Sequence, residues 1–145
     1  MAESEMTVRL RHVDGYRFEI DFGDAGGTRL GTDESAPLGE GQGPSAGRIL
    51  GGAVANCLMA SLVFCMDKRE GEVAGLEGEV EITLGRNEEK RMRIASIDVN
   101  LTADVAEDQL ETFEKCARVF EQFCIVTESV KTGIPIHTTL TRRDA

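Results

Sequence analysis

Four cysteines, at positions 57, 65, 116 and 124, are the residues of this chain best suited to do chemistry. A thiol can act as a nucleophile, form a disulfide, bind a metal or simply fill apolar space, and spacing is the first discriminator. None of the four sits in a CxxC or CxxxxC arrangement, so nothing points to a metal site. Four cysteines allow three complete pairings, and spacing alone does not choose among them. Cys65 follows Cys57 by eight residues, about 12 Å along a helix, so those two cannot bridge without unwinding it. Free cysteine most often behaves as a small buried hydrophobe, and Cys65 and Cys116 are read that way, as packed residues with free thiols. Cys57 and Cys124 are 67 positions apart, a separation that carries no distance by itself.

Cys57 and Cys65 both lie in "ILGGAVANCLMASLVFCM", residues 49–66, which has no charge and suits either a membrane span or a buried helix. The flanking pattern favours burial. Before it, Val8, Leu10 and His12 alternate with Thr7, Arg9 and Arg11, and Tyr16, Phe18, Ile20 and Phe22 alternate with Arg17, Glu19 and Asp21, a hairpin turned at Asp14-Gly15. After it, Leu76, Val80, Ile82 and Leu84 oppose Glu77, Glu79 and Glu81, whose carboxylates are expected on a solvated face. A further strand over "EEKRMRIASIDVNLTA" shifts its apolar parity near Ala95-Ser96, as at a bulge.

A helix is expected from Asp104, where Asp104 and Glu107 resemble a capping box and Leu110, Phe113, Ala117, Phe120 and Cys124 share a face. "GIPIHTTLTR" reads as a last strand, with Pro135 at its start or edge. The order of strands, long helix, strands, helix and strand gives an α+β domain with antiparallel sheets packed around a long central apolar helix. A membrane span would separate half-sheets that need cover, so no membrane partner is expected.

The 145 residues, 41% hydrophobic and 29% charged, fit a single domain, 1–145. Twenty-six acidic against 16 basic residues give a net charge of −10, which disfavours nucleic acid as a partner. The opening "MAESEMTVRL" has no basic and apolar signal pattern, so the expected location is cytoplasmic, with mostly reduced thiols. His12 and His137 fall in strand patterns and are read as core or edge histidines.

"GPSAGRILGGAVANCL" resembles the start of the central helix in the OsmC/Ohr family, where a Gly/Pro/Ser turn opens a helix bearing a cysteine after small residues. "FEQFCIVTESVKTGIPI" resembles the second cysteine motif of that family, a helix ending in Cys-X-Val followed by a turn and a final strand. The resemblance implies an intertwined homodimer in which Cys57 is the peroxidatic nucleophile and Cys124 resolves its sulfenic acid to a Cys57–Cys124 disulfide. It also implies an organic hydroperoxide substrate, an external dithiol reductant, a role in oxidative stress, and no cofactor or metal.

Three positions depart from the family pattern. Gly47 stands where an acidic residue holds the activating arginine, Ala46 where a proline precedes it, and Ile125 where a proline follows the second cysteine. Arg29, Arg48 and Glu40 are available substitutes and equally ordinary loop charges, so none is assigned to the site. The alternative reading is a non-enzymatic OsmC-like module that binds a small hydrophobic ligand, with structural thiols.

Overall fold

The computed structural model describes residues 4–143. Residues 1–3 and 144–145, the two ends of the expected domain 1–145, lie outside the described residues.

Two compact units are assembled from interleaved stretches, one from residues 4–52 and 82–97, the other from 53–81 and 98–143. In the first, strands β1 (Arg9–Asp14), β2 (Arg17–Asp21) and β3 (Arg29–Thr32) form an antiparallel sheet in that order. Leu10 pairs with Ile20, and Ile20 with Leu30. The expected hairpin is present, turned at Gly15 with φ +48°, a conformation glycine adopts without a Cβ clash. Strand β3 lies between the hairpin and the uncharged run 49–66, where the residue pattern signals no strand. Its four residues, with Gly31 among them, are too few and too polar to signal a strand, and pairing with β2 creates it.

Between β3 and the central helix, a loop folds around the carboxylate of Asp33, a residue only 2% exposed. It accepts the backbone N–H of Glu34 (2.8 Å), Glu40 (3.2 Å) and Gln42 (3.0 Å). These bonds outweigh the burial that opposes ionisation, and with the Arg17 charge they hold the carboxyl below its ordinary value. A Cβ at Gly39 would collide with that carboxylate and with the Glu34 carbonyl. Ser45 then caps helix α1 (Ala46–Lys68), its Oγ accepting the Arg48 N–H at 3.4 Å.

Helix α1 meets the length and apolarity of a membrane span. One face, comprising Val54, Ala55, Leu58, Ser61, Leu62, Cys65 and Met66, is buried in protein.

Strands β4 (Ala74–Arg86) and β5 (Met92–Asp104) pair as a hairpin. Asn87 Oδ1 shapes its turn by accepting the N–H groups of Glu89 (2.9 Å) and Arg91 (3.0 Å). Glu77, Glu79 and Glu81 are exposed as expected, and so is Leu84. In β5 the alternation of half-buried and exposed residues begins at Ile97, beyond the parity shift.

The expected helix start at Asp104 is wrong, because β5 runs through that residue and leaves no capping box. A short 3-10 turn, Glu107–Gln109, leads into helix α2 (Leu110–Val119), which continues as a second 3-10 turn, Phe120–Phe123. The inward residues are Phe113, Cys116, Val119 and Phe120, while Leu110 and Ala117 face out. Leu62, Cys65, Met66 and Cys116 form the core of the second unit, with Val73 and Leu76 packed against it. Helix α3 (Ile125–Thr132) occupies the segment where a turn is expected. The expected final strand is not formed among the described residues: 133–143 carry no strand, and Ile134, Ile136 and Leu140 are exposed.

Candidate thiol site

Cys57 lies on α1, with Ser61 one turn further along the same face. Cys124 lies where the 3-10 turn ends and α3 begins, in extended conformation (φ −82°, ψ 102°), and it is the N-cap of α3. Its sulfur takes the place usually held by a serine or aspartate oxygen, accepting the Thr127 N–H at 3.4 Å. Thr127 Oγ1 lies 2.9 Å from the same sulfur. The side chains of Cys57 and Ser61 lie near enough to Cys124 to lower its pKa. The two cysteines named by the sequence are therefore brought together, and both are free thiols.

Their environments differ. Cys124 has no exposed surface, whereas Cys57 is partly open. Burial pushes the Cys124 thiol up, but hydrogen bonds from the Thr127 side chain, Cys57, the Thr127 backbone and Ser61 together bring it below its ordinary value. The pair thus consists of one accessible sulfur and one enclosed sulfur whose thiolate is stabilised.

Thr127 and Ser61 were missed by the sequence reading. Thr127 has a local signal, because it stands three residues after Cys124, the spacing between an N-cap and the N–H it binds. Ser61 stands four residues after Cys57 on one helical face.

Cys65 and Cys116 require a correction. Both are buried, as expected of packed residues, but they are joined as a disulfide, with Cα atoms 5.8 Å apart. Packing α2 on α1 brings them within bridging range despite a separation of 51 positions.

Among the other candidates, Arg29 is engaged by Glu19 (3.2 Å) and Asp21 (3.5 Å) on the β-sheet, and Arg48 is exposed. Glu40 contributes its backbone N–H to the Asp33 loop. Gly47 is in the first turn of α1, and Ile125 is an exposed first residue of α3. His12 is on the sheet, with Nε2 2.9 Å from the Gly15 carbonyl and its ring beside Phe18, and His137 is exposed outside any strand.

Comparison with known proteins supplies the family. The family model described as OsmC-like protein matches residues 39–139. No curated protein matches the sequence closely enough to count as a relative. Among solved structures, an OsmC-like protein of unknown function from Vibrio cholerae superposes with TM-score 0.72 at 15% identity, over 88% of this chain and 94% of that one. Organic hydroperoxide resistance protein OhrB of Bacillus subtilis gives TM-score 0.61 at 17% identity, over 90% and 93%. The organic hydroperoxide resistance protein OsmC of Legionella pneumophila gives TM-score 0.60 at 15% identity, over 90% and 92%. With the matched region spanning most of the chain and the α+β fold in agreement, this protein belongs to the OsmC-like family.

Proposed function

We propose that this protein is a thiol peroxidase that reduces organic hydroperoxides, working as a cytoplasmic homodimer recycled by an external dithiol. The observation that carries the reading is the contact between the free thiols of Cys57 and Cys124, with Cys57 accessible and Cys124 enclosed.

The difference in accessibility supports the roles that follow. The Cys57 thiolate attacks the outer peroxide oxygen, the O–O bond breaks, and the alkoxide leaves as the alcohol after taking a proton. Cys57 is now a sulfenic acid. The Cys124 thiolate attacks that sulfur and expels hydroxide, which leaves as water, forming the Cys57–Cys124 disulfide. A dithiol then attacks Cys57, the reachable sulfur, and expels the Cys124 thiolate, a good leaving group because its environment stabilises the anion. The second thiol of the reductant completes the exchange, releasing Cys57 and an oxidised reductant.

Two exposed features support the dimer. Ala53, Asn56, Ala60, Val63 and Phe64 form an uncharged stripe on the outer face of α1. The alternating Ile134, Ile136 and Leu140 are exposed and have no partner strand among the described residues. A second copy gives both features cover.

The test is hydroperoxide consumption with a saturating dithiol. Turnover that is lost in Cys57→Ser, and that stops after one equivalent in Cys124→Ser, supports the assignment. Full activity in Cys57→Ser overturns it. The binding-module reading draws on a cavity of about 420 Å³ beside Leu10, Phe18, Ile20 and Ile49 in the first unit. A co-purifying apolar ligand without peroxide turnover selects it.

A further inference from the structure

The two cysteines outside the proposed reaction are joined to each other. Cys65 and Cys116 are 6% and 0% exposed, with Leu62 and Met66 beside them in the core and Phe113 and Phe120 packed against it. Cys65 is eight residues beyond Cys57, and Cys116 is eight residues before Cys124. The segment from Cys116 to Cys124 therefore runs antiparallel to α1, with one sulfur pair at each end of the overlap.

We propose that Cys65–Cys116 is a second redox couple, a buried clasp that fixes the segment 116–124 on α1 and sets how readily Cys124 meets Cys57. That segment leaves α2, passes through a 3-10 turn and ends at the cap of α3. It carries no other covalent tie to α1. Anchoring one end raises the effective concentration of the sulfur at the other.

The clasp forms during folding, before the core closes over these sulfurs, by exchange with a small-molecule disulfide. One cysteine thiolate attacks it and expels a thiol, and the second thiolate attacks the mixed disulfide and expels the other. Two electrons pass to the small disulfide, and the two protein thiols lose their protons. Once formed, the bond is enclosed on both sides, so a reductant that reaches the open sulfur of Cys57 does not reach Cys65 or Cys116.

The clasp stands without the peroxidase reading, and its tests use no hydroperoxide, so either can fail alone. The full chain is refolded in glutathione disulfide, treated with graded dithiothreitol under native conditions, alkylated and peptide-mapped. Cys57 and Cys124 are expected to alkylate while Cys65 and Cys116 stay linked. Release of all four at one dithiol concentration overturns protection.

For positioning, the Cys57–Cys124 equilibrium against glutathione is compared between wild type and Cys65→Val/Cys116→Ala. The effective concentration is expected to fall about tenfold, and the melting temperature by roughly 10 °C. An unchanged equilibrium overturns it. Should the double variant not fold, amide hydrogen exchange over residues 110–124 is compared in wild type before and after clasp reduction. Faster exchange on reduction supports the clasp, and equal exchange overturns it.

Discussion

Thr127 binds Cys124 twice, donating its backbone N–H to Sγ at 3.4 Å and placing Oγ1 2.9 Å from the same atom. The side-chain contact is the separable one, because valine keeps the N–H and the approximate shape. Thr127→Val is expected to raise the Cys124 pKa. It slows single-turnover closure of the Cys57–Cys124 disulfide several-fold near neutral pH and costs about 1 kcal/mol of stability. Thiolate absorbance against pH checks the direction, and an unmoved titration refutes the role given to the hydroxyl.

Asp33 makes a pH prediction of the opposite chemical kind. Its carboxyl is held below the ordinary 3.8 by three backbone N–H groups and Arg17, against the opposing effect of burial. A lowered folded value means that its contribution is fully present above the unfolded value and is lost as pH falls through the folded one. The loop 33–44 should therefore persist through the ordinary carboxylate range and open only in stronger acid. Asp33→Asn should remove that dependence and destabilise the loop at neutral pH. Nuclear magnetic resonance of the Glu40 and Gln42 amides during acid titration reports both effects.

Leu62 lies 4% exposed in the core that also holds the Cys65–Cys116 bond. Leu62→Ala should cost about 2–4 kcal/mol, the lost transfer energy plus a cavity that the cross-linked neighbours cannot collapse to fill. Urea denaturation with the disulfide intact measures it, and a cost below about 1 kcal/mol contradicts tight packing there.

Substrate preference tests the apolar setting of Cys57. Val54 and Leu58 on the same helix are buried, and Met59 is half-buried. Each methylene buried is worth up to about 0.8 kcal/mol, so kcat/KM for tert-butyl or cumene hydroperoxide should exceed that for hydrogen peroxide at least about tenfold. Equal constants for the three substrates would count against an apolar pocket at this sulfur.

The elements legible in the sequence were those whose signal is local. Alternation at Tyr16, Phe18 and Ile20 marked β2, the uncharged run 49–66 marked α1, and Glu77, Glu79 and Glu81 marked an exposed strand face, because each follows from the period of its own backbone. The family likeness also named Cys57 and Cys124 from the residues around them. Tertiary structure decided what depends on a partner. Strand β3 exists because β2 offers hydrogen bonds to a polar segment, whereas "GIPIHTTLTR", with a better strand pattern, forms no strand among the described residues. The start of α2 moved because β5 remains strand through Asp104, a competition that a capping pattern alone does not register. The Cys65–Cys116 bond was invisible for the same reason. A disulfide needs Cα atoms within about 7 Å, and only the packing of α2 on α1 brings together two residues 51 positions apart.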